Sequence, residues 1–518
     1  MVDLLSMGVL PTIASGLVAF VMLRLLTKLA TNKNRKYLPG PPRLPLIGNL
    51  LQMPATDAWE TYLKWRDTYG DAIYLEVLGA PVVVLNTYQA CIDLLEKRSD
   101  IYSDRPRNVV GNKIMGWDKS VVTAPYGDRW KRYRRISAQS LRKEVVGRFY
   151  PLQEKEIARF LVGLLDKPER FLEGFRFAAA RGLLMAMYGI EVTEEHDTMI
   201  TTAEQAMEAA VFAAQPGNFL VDFFPILEKV PSWVPGTGWK AYAQRGKELT
   251  DDMVNIPFNK TVDSMKTGNY EPSFTSTNLE KKEDGEIVKW CAGTMLSAGT
   301  DTSVANLHNF VLAMVLYPEV QKRIQAEIDS AVGPGRLPTM ADSDQLPYLN
   351  AVLRELIRWQ PISPIALPHR LTTDDVYNGY FIPAGTVVIA NSWAVSRDPT
   401  LYKDPEVFNP DRFLPMFDKS IPHDPADIPM DPMLYSFGYG RRICAGKNYA
   451  EAMAFTAMAR LMVTFNISMA KDSQGNDIVP ELQFKSSVVR EPVPFPCKIT
   501  PRSEAARALV MAAVNGNL

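Results

Sequence analysis

The sequence predicts a mainly α-helical protein with a small β-rich region. From residue 286 to 317 the chain is apolar nearly all round until Pro318 stops it, the pattern of a long helix buried through a molecule's centre. Strand signals are short by comparison. Residues 73–77 and 82–85 flank Gly79-Ala80-Pro81, a hairpin signal, and two more runs at 484–489 and 494–499 close the chain. With 518 residues, 47% of them hydrophobic, the chain can bury a sizeable core. Its 57 basic and 58 acidic residues are interspersed for a net charge of -1, which leaves no basic face for nucleic acid. The four cysteines, Cys91, Cys291, Cys444 and Cys497, show neither C-x-x-C spacing nor a disulfide framework, so a reducing compartment is expected.

Residues 4–23 carry no charge and would span about 30 Å as a helix, enough to cross a bilayer. Asp3 precedes the run, whereas Arg24, Lys28, Lys33, Arg35 and Lys36 follow it. That asymmetry argues against a cleaved signal peptide and places the rest of the chain in the cytosol. Residues 1–24 are therefore read as a transmembrane anchor and 25–48 as a basic, proline-rich hinge. Leu38-Pro39-Gly40-Pro41-Pro42-Arg43-Leu44-Pro45 should form a stiff extended connector to a single domain at 49–518.

After the hairpin most of the chain reads as helix. Between Gly127 and Arg135 lie Trp130, Lys131, Arg132, Arg134 and Arg135, a run that on its own reads as a solvated helix surface. Trp130 and Arg134 share a helical face. Polar residues at 267–285 read as a loop before the long helix. In the middle of that helix Ala298-Gly299-Thr300-Asp301-Thr302 sets a glycine, an acid and a hydroxyl among apolar neighbours, each costly in a buried helix. One structural alternative is that Thr302 bonds back to the carbonyl four residues earlier. Glu355 and Arg358 lie at i, i+3 on a helix ending before Pro361, ordinarily a weak surface pair. Residues 414–432 read as an irregular meander, helix returns after Tyr449, and no role is assigned beyond Pro501. His196, His308 and His423 show no metal-ligand spacing and read as exposed or satisfied side chains.

The most informative stretch is Phe437-Gly438-Tyr439-Gly440-Arg441-Arg442-Ile443-Cys444-Ala445-Gly446. A thiolate that binds a metal needs donors around it and little bulk beside it, and the glycines at 438, 440 and 446 let backbone N–H groups approach. The alternative is a structural cysteine in a turn.

The pattern F-x-x-G-x-R-x-C-x-G resembles the haem-binding signature of the cytochrome P450 family. In the family's order, the W-x-x-x-R pair, the A-G-x-D-T segment, Glu355-x-x-Arg358 and Phe408-Asn409-Pro410-Asp411-Arg412-Phe413 resemble its other motifs, over about residues 38–502. The resemblance implies a cytochrome P450 fold, with the long central helix over a haem b whose iron takes Cys444 as axial thiolate. It further implies haem contacts from Phe437 and Gly438, propionate contacts from Trp130, Arg134, Arg442 and His369, and proton delivery by Asp301 and Thr302, with Gly299 leaving room for dioxygen. Arg412 should join Glu355 and Arg358 in a buried network.

The proline-rich hinge resembles that of microsomal members, and the local phrasing resembles basidiomycete secondary-metabolism members. The expected activity is therefore monooxygenation of a lipophilic metabolite, a terpenoid first and an aromatic, indole-type or polyketide metabolite second. A haem-thiolate isomerase and a non-catalytic haem protein are the alternatives. The implied partners are O2, membrane lipid, a separate NADPH-cytochrome P450 reductase met by Lys131, Arg132, Arg135, Arg441 and Lys447, and cytochrome b5, at the endoplasmic reticulum membrane. By family position, Met115, Trp117, Val121, Val122, Ala298, Ile365, Ala366, Leu367, Val488 and Val489 should line the substrate pocket.

Overall fold

The structure, a computed structural model, describes residues 35–424 and 428–514. The expected anchor at 1–24 lies outside the described residues, as does the hinge as far as residue 34. Among the described residues no helix is long and apolar enough to cross a membrane. From residue 38 onward the proline-rich segment does not stand clear of the domain. Its prolines leave their carbonyls free, and Pro39 O accepts from Tyr74 N at 2.9 Å while Asn49 N donates to Glu76 O at 2.6 Å.

Helix α1 (Ala58–Tyr69) leads into strands β1 (Ala72–Val77) and β2 (Ala80–Leu85), an antiparallel pair with Ile73 opposite Val84. Leu78 and Gly79 turn the corner at φ 51° and 86°, the left-handed pair that suits a two-residue hairpin. A π-helical turn at Ile92–Glu96 follows. The next helices are α2 (Asp128–Leu141), α3 (Tyr150–Asp166), α4 (Phe171–Tyr188), α5 (Thr198–Ala214) and α6 (Trp239–Thr267). The stretch expected to be loop at 267–285 holds a helix, α7 (Phe274–Glu280). Ser273 and Ser276 cap it reciprocally, a short polar signal that composition hides.

Helix α8 (Gly285–Leu316) is the expected central helix, begun by the Asp284 side chain accepting from Glu286 N. Apolar cores lie on both of its sides. Phe310 and Met314 share one core with Leu349 and Leu353, and nearer the N-terminus Val288 and Leu296 share the other with Leu184 and Val254. Helices α9 (Pro318–Ala331) and α10 (Pro347–Trp359) follow.

Strand β3 (His369–Arg370), the small pair β4 (Asp375–Tyr377) and β5 (Tyr380–Ile382), and β6 (Val387–Ala390) complete the first half of the β structure, with sheet order β1-β2-β6-β3. Helix α11 (Lys447–Thr464) runs beneath α8 and leads to β7 (Phe465–Lys471), which pairs with β8 (Asp477–Ile478) and β9 (Cys497–Pro501). The strand expected at 484–489 is only a bridge between Phe484 and Pro492, and the one expected at 494–499 starts at Cys497. Pro492, Pro494 and Pro496 remove the amides a ladder needs, so pairing begins only beyond them. The tail forms helix α12 (Glu504–Val514), docked on α3 and burying Val510.

The expected charge network is buried. Arg358 donates to both Glu355 oxygens at 2.7 and 2.8 Å, and neither side chain is exposed. Arg412 Nε stands 3.1 Å from Glu355 Oε2, and Asn409 N donates to Oε1 at 2.7 Å. The remaining Arg358 N–H groups reach the carbonyls of Ser396, Pro405 and Val407, so this guanidinium ties α10 to the segment before the cysteine loop.

Candidate functional site

The cysteine loop closes on itself through Cys444 N, which donates to Phe437 O at 2.8 Å. Gly438 and Gly440 take φ 82° and 53°. Gly440 is the tight one, because a Cβ there would lie 2.2 Å from Leu95 O in the π-helical turn. Its smallness therefore serves packing against Leu95 rather than access to the sulfur, and at Gly446 a Cβ would make only an ordinary 3.8 Å contact with Sγ. The Cys444 residue is accessible, yet protein surrounds it, because its open surface faces an internal cavity. Burial pushes the thiol above its ordinary pKa, while the N–H groups of Gly446 and Lys447 and the charge of Arg134 pull it back.

The cavity is about 360 Å³. Phe437, Gly438 and Cys444 line it from one side and the middle of α8 from another. Of the expected apolar wall, Val121, Val122, Ala298, Ala366 and Leu367 line it, whereas Met115, Trp117, Ile365, Val488 and Val489 do not. Met115 is instead buried against Gly246 of α6, where a Cβ would come within 2.5 Å of its methyl.

Three arginines converge on this cavity. Arg134 donates to Ile443 O at 2.7 Å. Arg442 donates to Ser103 O and Ala124 O, both at 2.7 Å, and its guanidinium lies 4.4 Å from the centre of the Trp130 ring. Arg105, which the sequence analysis missed, donates to Val122 O, Leu367 O and Pro368 O. Burial pushes Arg105 down to about 10 and Arg442 to about 9, and lowers Arg134 as well. Their hydrogen bonds end on neutral carbonyls, and the nearby Asp104 carboxylate is bound to Arg370 at 2.7 Å. Two buried cations and the half-buried Arg134, none hydrogen-bonded to a carboxylate, are the donor set that an anionic ligand in this cavity requires. Cys444 and this cluster border one cavity, so the residues present fit a metalloporphyrin with two carboxylates. Nothing periodic marks Arg105 in the sequence.

His369 also lines the cavity, with Nδ1 at 2.8 Å from Tyr102 O. Burial, then the charge of Arg105, hold its pKa well below the ordinary value, so the ring is neutral. Its single proton is needed at Nδ1 by the carbonyl, which leaves Nε2 an acceptor. Donation from Nε2 to a carboxylate would require a second proton on the ring.

On α8 the structure separates two expected partners. Thr302 lines the main cavity, with its hydroxyl donating to Ala298 O at 2.9 Å, the back-bond that the sequence left as an alternative. Asp301 turns away from that cavity. It pairs with Arg176 of α4 and borders a small crevice shared with Glu204 of α5, whose carboxyl is raised chiefly by burial. A side chain one position on along a helix points about 100° away, so the two cannot face one space. Gly299 borders the cavity, but its missing Cβ would stand 2.9 Å from Leu183 Cδ1; the glycine lets α4 approach α8.

The basic residues on α2 are exposed and lightly paired: Lys131 to Asp128 at 3.2 Å, Arg132 to Asp284 at 3.4 Å and Arg135 to Glu283 at 2.7 Å. Arg441 bonds the Tyr126 hydroxyl, and Lys447 donates to Met433 O at 3.1 Å.

A family model for cytochrome P450 matches residues 38–498. The chain is 40% identical over 477 residues to the cytochrome P450 monooxygenase claR of Ampulloclitocybe clavipes, covering 91% of this chain and 88% of that protein. It is 39% identical to cytochrome P450 monooxygenase 208 of Postia placenta, covering 92% of each, and 39% identical to cytochrome P450 monooxygenase COX2 of Coprinopsis cinerea, again over 92% of each. A cysteine facing an enclosed cavity, a cationic cluster at the same cavity and similarity along nearly the whole chain agree: the protein belongs to the cytochrome P450 family and is a haem b monooxygenase with Cys444 as the thiolate ligand.

Proposed function

We propose that this monooxygenase oxidises a lipophilic secondary metabolite, a terpenoid first, with electrons from NADPH passed by a separate reductase and, as a second donor, cytochrome b5. The observation that carries the substrate class is the apolar wall of Val121, Val122, Ala298, Ala366 and Leu367 on the cavity that Cys444 faces. Such a wall favours a hydrocarbon skeleton and offers an ionic substrate no partner. In this reading residues 1–24 anchor a single catalytic domain at the endoplasmic reticulum membrane, and the exposed Lys131, Arg132, Arg135 and Arg441 meet the acidic reductase.

Bound haem b supplies the activation of dioxygen and the electron transfer, tuned by its thiolate. The chain's residues hold it and manage protons. Arg105, Arg134 and Arg442 would neutralise the propionates, with Trp130 against the Arg442 guanidinium, and Phe437 and Gly438 would lie against the haem beside Cys444. A propionate near His369 would pull its pKa back up and so favour the doubly protonated ring that could donate to it. Thr302 offers a hydroxyl inside the cavity. Asp301, from its crevice beside Glu204 and Arg176, connects the outer face of α8 to solvent. One oxygen atom enters the substrate, and the other leaves as water after taking two electrons that originate in NADPH and two protons from solvent.

Optical titration of the purified haem protein with terpenoid scaffolds and aromatic metabolites, followed by turnover with reductase and NADPH, tests this. A saturable high-spin shift and product from a terpenoid support the reading. A shift confined to aromatic metabolites overturns the terpenoid assignment.

A further inference from the structure

The face of α8 that lines the cavity repeats every four residues: Thr294, Ala298, Thr302 and Asn306, with Ser303 beside them. The hydroxyls on this stripe are already bonded to the helix. Thr294 donates to Trp290 O at 2.6 Å, Thr302 to Ala298 O at 2.9 Å and Ser303 to Gly299 O at 2.7 Å. Asn306 differs, because its carboxamide lines the cavity with no hydrogen-bond partner among the described residues. One helical step away, Asn309 is 1% exposed; its Nδ2 donates to Gln360 O at 3.3 Å, and its Oδ1 has no partner.

Leaving such groups unpaired in an apolar interior is costly. Residues three apart on a helix hold their Cβ atoms about 5–6 Å apart, a gap that one water bridges. We propose that Asn306, with Asn309, holds an ordered water one turn beyond Thr302 and so positions protons for the monooxygenase reaction. The Thr302 hydroxyl has its own proton on Ala298 O, so its lone pairs face the cavity as acceptors. Thr302 lies about 10 Å along the helix from Asn309, so a water fixed by the two amides reaches this hydroxyl through a further water in the cavity that Asn306 and Thr302 both line. Asn306 is a positioning residue: the protons that end in the water product come from solvent, and the electrons come from NADPH.

The inference rests on the monooxygenase activity, and its test separates the two. In a high-resolution crystal structure of the haem-loaded wild type, a water should lie within hydrogen-bond distance of both amides. An Asn306 bonded instead to protein or substrate, with no water between the amides, overturns the proposal whether or not turnover has been found. Asn306→Leu should lower the product formed per NADPH oxidised by roughly three- to ten-fold, the size of one lost hydrogen bond. It should also change the solvent isotope effect and leave the melting temperature unchanged or higher. Asn306→Ser, which readmits water, should recover most of the coupling. Wild-type coupling and isotope effect in Asn306→Leu would overturn the assignment, and if that variant loads no haem the crystallographic water decides alone.

Discussion

The Arg442 guanidinium lies 4.4 Å from the centre of the Trp130 ring while its N–H groups are held by Ser103 O and Ala124 O. The ring thus supports a cation that two loops hold in place. With Arg105 and Arg134 it makes a positive end to the cavity, and the Asp104 carboxylate nearby is hydrogen-bonded to Arg370 instead. Replacing Arg442 by Leu should weaken haem retention by roughly ten- to a hundred-fold, the value of one charged hydrogen bond, with the fold kept. Transfer of haem to apomyoglobin measures this. Equal loss rates for the variant and the wild type would detach Arg442 from the propionates.

Thr302→Ala removes the hydroxyl but leaves Ala298 O in a helix that needs no side-chain bond. The stability should therefore hold while NADPH oxidation continues and product yield drops several-fold, the difference appearing as peroxide. Peroxide assays alongside product analysis check it.

Glu355→Ala strands Arg358, whose side chain is wholly buried, and Arg412, which leans on the same carboxylate. Breaking a buried pair of this kind costs about 3–5 kcal/mol. Urea unfolding should show a lower midpoint, and the cysteine loop should lose haem before the rest of the protein melts.

His308 is buried between Phe171 and Phe495, stacked on the latter at 5.1 Å, with neither ring nitrogen bonded. Burial pushes its pKa down to about 4 against an ordinary 6.5; Glu491 opposes the shift and Lys485 adds to it. The unfolded chain takes up this proton below 6.5 and the folded chain does not, so stability present above 6.5 is lost as pH falls towards 4. The loss reaches roughly 3 kcal/mol at the acid end. His308→Phe should flatten that slope in unfolding curves measured between these pH values, and an unchanged slope would assign it to other groups.

What could be read from the sequence was local. The cysteine loop, the central helix and the first hairpin each depend on neighbours a few residues apart, and each appears where the spacing placed it. The Glu355, Arg358 and Arg412 network was reached through family order rather than spacing, since i, i+3 charges alone look like a surface pair. Side-chain direction was less legible. Asp301 and Thr302 are adjacent letters, yet the helix turns one toward Arg176 and the other into the cavity. Gly299 looked like space for a ligand, and Leu183 from another helix occupies that side. Arg105 and Asn306 carry no pattern of their own, because what distinguishes them, a buried cation whose hydrogen bonds end on carbonyls and a carboxamide without a partner, exists only in three dimensions.

Gly440 has no conservative substitute, because the contact that excludes a side chain is with backbone. The Leu95 carbonyl it meets belongs to a π-helical turn, where one additional residue has been accommodated in the coil. Removing a residue from that turn would swing the carbonyl round and tilt the loop that carries the sulfur. The seating of the sulfur in the cavity is therefore tied to a piece of main chain far away in the sequence.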